Sequence, residues 1–240
     1  MKIYYLENSG FAVEMEQALL VFDCCRFDPQ GGTLCDGVVN ERDLAKYARV
    51  YFFVSHRHAD HYNRAIYALQ NANPNTTYII ALGTPQRCAP EKCVVLKKGD
   101  DFADDYLKVH ACGSTDLGVS FLVWAEDKTL FHAGDLNCWH WMLDWSEAEE
   151  MAARSDFTQE LAQMRSHVQQ IDVAFFPVDP RMKGTYDDGA REFAAAFSPK
   201  LFVPMHCQDD FSVTEKFQRD MQTDTMKVFS YSHRGASMAY

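Results

Sequence analysis

Apolar residues in this chain fall in short runs broken by turn formers, and the spacing of the runs defines the elements. Residues 2–6, 11–15 and 18–23 are apolar-rich, with Asn8-Ser9-Gly10 and Glu16-Gln17 between them, a pattern that predicts a β-meander. Residues 26–39, with Pro29, Gly31-Gly32 and Gly37, read as a loop, followed by a short helical segment over 41–48. Val50-Tyr51-Phe52-Phe53-Val54-Ser55 is a continuous β-branched and aromatic run, the mark of a strand covered on both faces. A helix over 61–71, a buried strand over 77–82, and strands over 93–96, 107–111, 119–125 and 129–131 follow. Residues 146–169 have helical periodicity, with a break expected near Ser155. The remainder alternates strand 173–178, helix 188–197, strand 201–204, helix 213–222 and a last strand 227–231, and His233-Arg234-Gly235 reads as a turn between the last strands. This order implies an α/β protein, a single domain over 1–240, built from two mixed sheets face to face with helices outside.

Charge narrows the partners. Thirty-four acidic against 23 basic residues leave a formal charge of −11, which disfavours a nucleic-acid partner because phosphate binding needs a field of Lys and Arg. A small-molecule substrate fits better, and a homo-oligomer is compatible with the sequence. No apolar stretch reaches the roughly 18 residues of a membrane span, and the first eight residues lack the apolar core of a signal peptide, so a cytoplasmic protein is expected. The eight cysteines show no paired C-x-x-C spacing and are expected to be reduced, packing as small apolar residues.

The chemistry concentrates in His56-Arg57-His58-Ala59-Asp60-His61, at the end of one predicted strand and the start of a helix. Four metal-competent side chains in six residues suit zinc foremost, with manganese, nickel or iron also compatible. On an extended tip, residues two apart point the same way, so His56 and His58 can share one ion. Asp60 and His61 lie past the bend and can face a second ion about 3.5–4 Å away. A polar loop with histidines at a helix start is the plainer alternative, which suits a lone histidine better than four donors at this spacing.

These residues resemble the His-x-His-x-Asp-His signature of the metallo-β-lactamase superfamily, and the resemblance extends over nearly the whole chain. Leu20-Val21-Phe22-Asp23 is similar to its early strand ending in aspartate, Phe131-His132-Ala133-Gly134-Asp135 to its metal-bridging Gly-Asp motif, and Leu201-Phe202-Val203-Pro204-Met205-His206 to the strand that delivers its last histidine. Together with Phe176-Pro177-Val178-Asp179-Pro180-Arg181, the spacing resembles the L-ascorbate-6-phosphate lactonase-like branch. The resemblance implies a four-layer αββα sandwich, one or two divalent cations held by His56, His58, Asp60, His61, Asp135 and His206, and hydrolysis by an activated water that Asp60 orients or deprotonates.

One motif departs from the family pattern. The third histidine of the first metal position would stand where this chain has Ser114, within His110-Ala111-Cys112-Gly113-Ser114-Thr115-Asp116. Asp116 is the nearest carboxylate to replace it, and reads equally as a turn residue; His110 and Cys112 are weaker substitutes. Among other polar residues, Asn137, His140, Asp179 and Arg181 are candidates for substrate binding. Trp139, Trp141 and Trp145 could line a pocket or simply pack. Arg181 and Arg57 could grip an anion or form structural ion pairs. His132 reads as a satisfied core histidine and His167 as a solvated helix residue. The activity these features imply is hydrolysis of a small, anionic lactone, ester or phosphodiester. The alternatives are a nuclease of the same superfamily, a non-catalytic metal-binding protein with a degenerate first position, and a redox diiron protein, a branch that prefers Glu where His58 stands.

Overall fold

The computed structural model describes residues 1–139 and 145–240, which form two compact units: residues 1–97 with 231–240, and residues 98–230. His140 and Trp141 lie outside the described residues.

The first unit holds one seven-stranded sheet. Strands β1 (Lys2–Glu7), β2 (Gly10–Glu14) and β3 (Ala18–Phe22) form the expected antiparallel meander. Strands β4 (Arg49–Val54), β5 (Thr76–Ala81) and β6 (Cys93–Leu96) then add on parallel to β3, and the C-terminal strand β14 (Ser237–Ala239) closes the other edge against β1. All five residues of β3 and the last five of β4 are buried, as continuous apolar runs require.

The second unit holds the other seven strands, in the order β13-β12-β11-β10-β9-β8-β7. These are β7 (Asp101–Ala103), β8 (Leu107–Cys112), β9 (Ser120–Ala125), β10 (Lys128–His132), β11 (Val173–Pro177), β12 (Leu201–Met205) and β13 (Lys227–Val228). Strands β10 to β13 run parallel, whereas β7 to β10 are antiparallel neighbours. Its helices are α2 (Glu147–Met164), α3 (Asp188–Phe197) and α4 (Ser212–Met221), with α1 (Glu41–Leu44) in the first unit. Ala190, Phe193, Ala194 and Phe197 form the buried stripe of α3 at helical spacing. Phe193 stacks on Phe176 at 4.6 Å and on Phe131 at 5.0 Å, tying α3 to β11 and β10.

Several expectations shift. The helix expected over 41–48 stops at Leu44, because the Asn73 amide takes the carbonyls of Leu44 and Tyr47. The helix expected over 61–71 is a 3₁₀ segment, Arg64–Asn71, which buries Ile66 and Leu69 three residues apart, the repeat of that tighter helix. Helix α2 does not break at Ser155; a Ser146–Glu149 capping box starts it, and Phe157, Leu161 and Met164 anchor its second half. Strand β7 was not expected, since three residues cannot show an alternation. The strand expected over 227–231 pairs only over Lys227–Val228. The eight cysteines are all free thiols. Among the described residues no helix is long and apolar enough to cross a membrane.

Replacing Phe193 with Ala removes the stacked centre of the second unit's core. It should cost about 3–5 kcal/mol of unfolding free energy, read as a lower urea midpoint at unchanged slope.

Candidate metal centre

In both units the polar residues singled out by the sequence stand just past the C-terminal ends of strands that run parallel to a neighbour, the usual address of ligand sites in such sheets. In the first unit Asp23 follows β3, and Ser55 to His61 follow β4. In the second, Asp135 follows β10, Asp179 follows β11 and His206 follows β12.

Asp23 organises the first set. Its carboxylate is buried and accepts three hydrogen bonds, from Ser55 N–H (2.8 Å), Ser55 Oγ–H (2.6 Å) and His61 Nδ1–H (2.8 Å). A carboxylate only accepts, so Nδ1 of His61 carries the proton and Nε2 presents its lone pair. With its proton committed to Asp23, Ser55 Oγ accepts from His56 Nδ1–H at 3.0 Å, which leaves the lone pair of His56 on Nε2. One buried carboxylate thus sets the tautomer of two imidazoles.

Two donor pairs result. Nε2 of His56 stands 3.0 Å from Nδ1 of His58, with the rings nearly perpendicular. That separation approaches the roughly 3.3 Å between two nitrogens on one tetrahedral zinc with Zn–N near 2.0 Å. Oδ2 of Asp60 stands 3.6 Å from Nε2 of His61. His56 and His61 are buried, while His58 is exposed and Asp60 half-exposed, so the set runs from the interior to the surface.

The second unit repeats the device. Asp179 is fully buried and accepts from His206 Nδ1–H at 2.9 Å, which again puts the imidazole lone pair on Nε2, 3.5 Å from Oδ1 of Asp135. Burial alone pushes the Asp179 carboxyl up, but the hydrogen bonds from His206 and Arg181 more than offset it and hold it below its ordinary value. Arg181 grips Asp179 bidentately, with Nη2 at 2.6 Å and Nε at 3.0 Å from both oxygens. The indole N–H of Trp139 donates to the Asp135 carbonyl at 3.0 Å, and its ring meets His206 edge-on at 5.6 Å. Thr115 clips this loop, donating to the Asn137 carbonyl (2.6 Å) and accepting from Asn137 N–H (3.0 Å).

The remaining candidates separate by position. A carboxylate oxygen of Asp116 lies within 4.8 Å of one on Asp135, while Ser114 uses its hydroxyl to accept from Asp116 N–H. His110 spends its ring on Asp101 (3.0 Å) and on stacking with His167 (3.8 Å). The Cys112 thiol is pushed up to about 12, chiefly by burial, a poor state for a thiolate ligand. His167 lies beyond the end of α2 rather than within it. The Asn137 amide is buried, accepting from Cys138 N–H and donating to the Met182 sulfur. His132 is buried, its Nδ1 accepting from Gly134 N–H at 3.2 Å. Trp145 and Trp139 line a cavity of about 330 Å³ with Thr115, Glu149 and Asp156. Sequence reasoning missed Ser55 as the link between Asp23 and His56, and Asn8, whose amide donates to Asp60 Oδ2 at 3.1 Å. Asp23 was legible only as a strand-end residue.

No family model matches the sequence, and none of the curated proteins matches it. Solved structures do. Igni18, a metallo hydrolase from the hyperthermophilic archaeon Ignicoccus hospitalis, superposes with a TM-score of 0.63 at 16% identity, over 100% of this chain and 98% of that one. The metallo-β-lactamase fold protein YhfI of Bacillus subtilis gives 0.58 at 12% identity, over 99% and 98%. An isothiocyanate hydrolase from Delia radicum gut bacteria gives 0.56 at 14%, over 100% and 99%. The chain therefore has the metallo-β-lactamase fold, and its chemistry has to be argued from its own residues.

Two outcomes test the carboxylate supports. Asp23→Asn should lower zinc affinity about 10–100-fold, measured by chelator competition, since it loosens the tautomers of His61 and His56 together. Because the folded Asp179 carboxyl titrates below the ordinary 3.8, its contribution to stability is present above about pH 4 and lost as pH falls through the folded value. Asp179→Asn should therefore shrink the difference in unfolding free energy between pH 7 and pH 3 relative to the parent protein.

Proposed function

We propose that this protein is a metal-dependent hydrolase of a small, anionic lactone, ester or phosphodiester, and that residues 1–240 act as one functional domain. In this reading His56, His58, Asp60, His61, Asp135 and His206 hold one or two divalent cations, zinc foremost, with manganese and nickel as alternatives. Asp116 replaces the absent histidine at the position of Ser114; its carboxylate within 4.8 Å of that of Asp135 supports this over a turn role alone. The observation that carries the reading is the paired device Asp23–His61 and Asp179–His206, at 2.8 and 2.9 Å. Two buried carboxylates that each fix an imidazole with its Nε2 beside a second oxygen donor are what metal ligation requires.

Bound at these donors, a divalent cation supplies Lewis acidity and brings the pKa of water toward neutrality. The chain does the rest. Asp60, half-exposed, orients the attacking water and accepts its proton. Asp23 and Asp179 fix the tautomer and the orientation of their histidines. The guanidinium of Arg181 is engaged by Asp179, so it supports His206, and Arg57, exposed within the His-rich segment, is the residue left to meet an anionic group. Lactones of the ascorbate-phosphate type head the substrate panel, and the isothiocyanate hydrolase among the structural relatives adds that electrophile to it. The second reading, a metal-binding protein without turnover, is favoured by one observation, the serine at position 114.

Purified protein dialysed against chelator and reloaded should bind one or two equivalents of zinc or manganese by elemental analysis and hydrolyse at least one ester, lactone or phosphodiester in a panel. Asp60→Asn should lower kcat at least 100-fold with unchanged circular dichroism. Tight metal binding with no turnover across the panel would favour the second reading instead.

A further inference from the structure

Burial does not hold Asp60 in place: its side chain is 45% exposed. The terminal torsion of an aspartate is broad and roughly two-fold, so an unrestrained carboxylate exchanges its two oxygens. The turn between β1 and β2 supplies a restraint. Asn8 is 7% exposed, and its side-chain Nδ2 donates to Asp60 Oδ2 at 3.1 Å. The orientation of the amide follows from chemistry, because a carboxylate cannot donate and only the NH2 end of Asn8 can face it.

The turn itself is anchored. Asn8 N–H donates to the Tyr5 hydroxyl at 2.8 Å, and the buried Tyr5 ring stacks on Tyr231 at 4.1 Å. The backbone of Asn8 sits at φ +49°, in the left-handed region that asparagine tolerates better than most residues. Gly10 presses on the neighbouring chain, where a Cβ would meet the Asp23 carbonyl oxygen at 2.8 Å and the Glu7 carbonyl oxygen at 2.9 Å. The turn that carries Asn8 is thus seated on the backbone of the residue that holds His61.

We infer that Asn8 is the positioning residue of Asp60: it pins Oδ2 on the side of His61 Nε2, 3.6 Å away, so that Oδ2 would join His61 in holding a cation and the other oxygen would be left to accept a proton from water. A neutral amide suits the task, since it stops the rotation without neutralising the carboxylate as a lysine would. The inference rests on the hydrolase reading above and adds to it a residue that touches neither substrate nor cation.

The test uses Asn8→Gly, which keeps the left-handed backbone and removes the amide, and Asn8→Asp, which keeps the shape and sets a second carboxylate against Asp60. Titration calorimetry of zinc and of manganese into the full chain should show affinity about 10-fold weaker in Asn8→Gly and weaker still in Asn8→Asp. Crystals of metal-free protein should show one Asp60 rotamer in the parent and more than one in Asn8→Gly. With a substrate from the panel, kcat should fall while KM stays within two-fold, about the scatter of such measurements. Parental metal affinity and a single Asp60 rotamer in Asn8→Gly would overturn the assignment while leaving the hydrolase reading intact. A parent protein that binds neither metal would overturn both.

Discussion

The hydrogen bond from a histidine Nδ1 to a buried aspartate is the constraint on which the rest of the candidate centre depends. It occurs twice, Asp23 with His61 and Asp179 with His206, each within its own unit. Both carboxylates are almost fully buried, and each survives burial because several donors converge on it. Asp23 collects Ser55 and His61, and Asp179 collects His206 and the fork of Arg181. A buried carboxylate left without such donors would protonate instead, and the imidazole tautomer would be lost with it.

Part of the backbone strain falls in the same places. Asn8, Asp23 and His206 all have positive φ without being glycine. Each such residue costs of order 1 kcal/mol or more and persists only where its surroundings over-determine it. Here the surroundings are the ends of β3 and β12 and the tight β1–β2 turn, each locked into a sheet with buried neighbours. The sheets thus supply the rigidity that holds these strained loop residues in one orientation.

The superposition on metallo-β-lactamase-fold proteins at 12–16% identity agrees with this division of labour. Identity that low means that most positions carry a different residue. Such exchange is tolerated when volume and pattern are kept. In this chain the polar residues of the candidate centre stand at strand ends. Ser114 and the nearby Asp116 lie in the loop between β8 and β9.

The one-dimensional pattern was enough for the parts of the structure that depend on local physics. Continuous apolar runs such as Val50 to Val54 announced strands covered on both faces, and the spacing of His56, His58, Asp60 and His61 announced donors on either side of a bend. Resemblance to a family, rather than spacing, added Asp135 and His206. Tertiary structure alone decided what long-range partners dictate. Asn73 ended a helix 29 residues earlier in the chain, and Ser55 became a relay only because Asp23, 32 residues away, turned its carboxylate inward. Arg181, legible as an anion binder, was claimed by Asp179 two residues before it, and Asn8 reached Asp60 across 52 residues. A hydrogen bond is set by distances of about 3 Å and by direction, and neither is written in residue order until the sheets have brought their strand ends together.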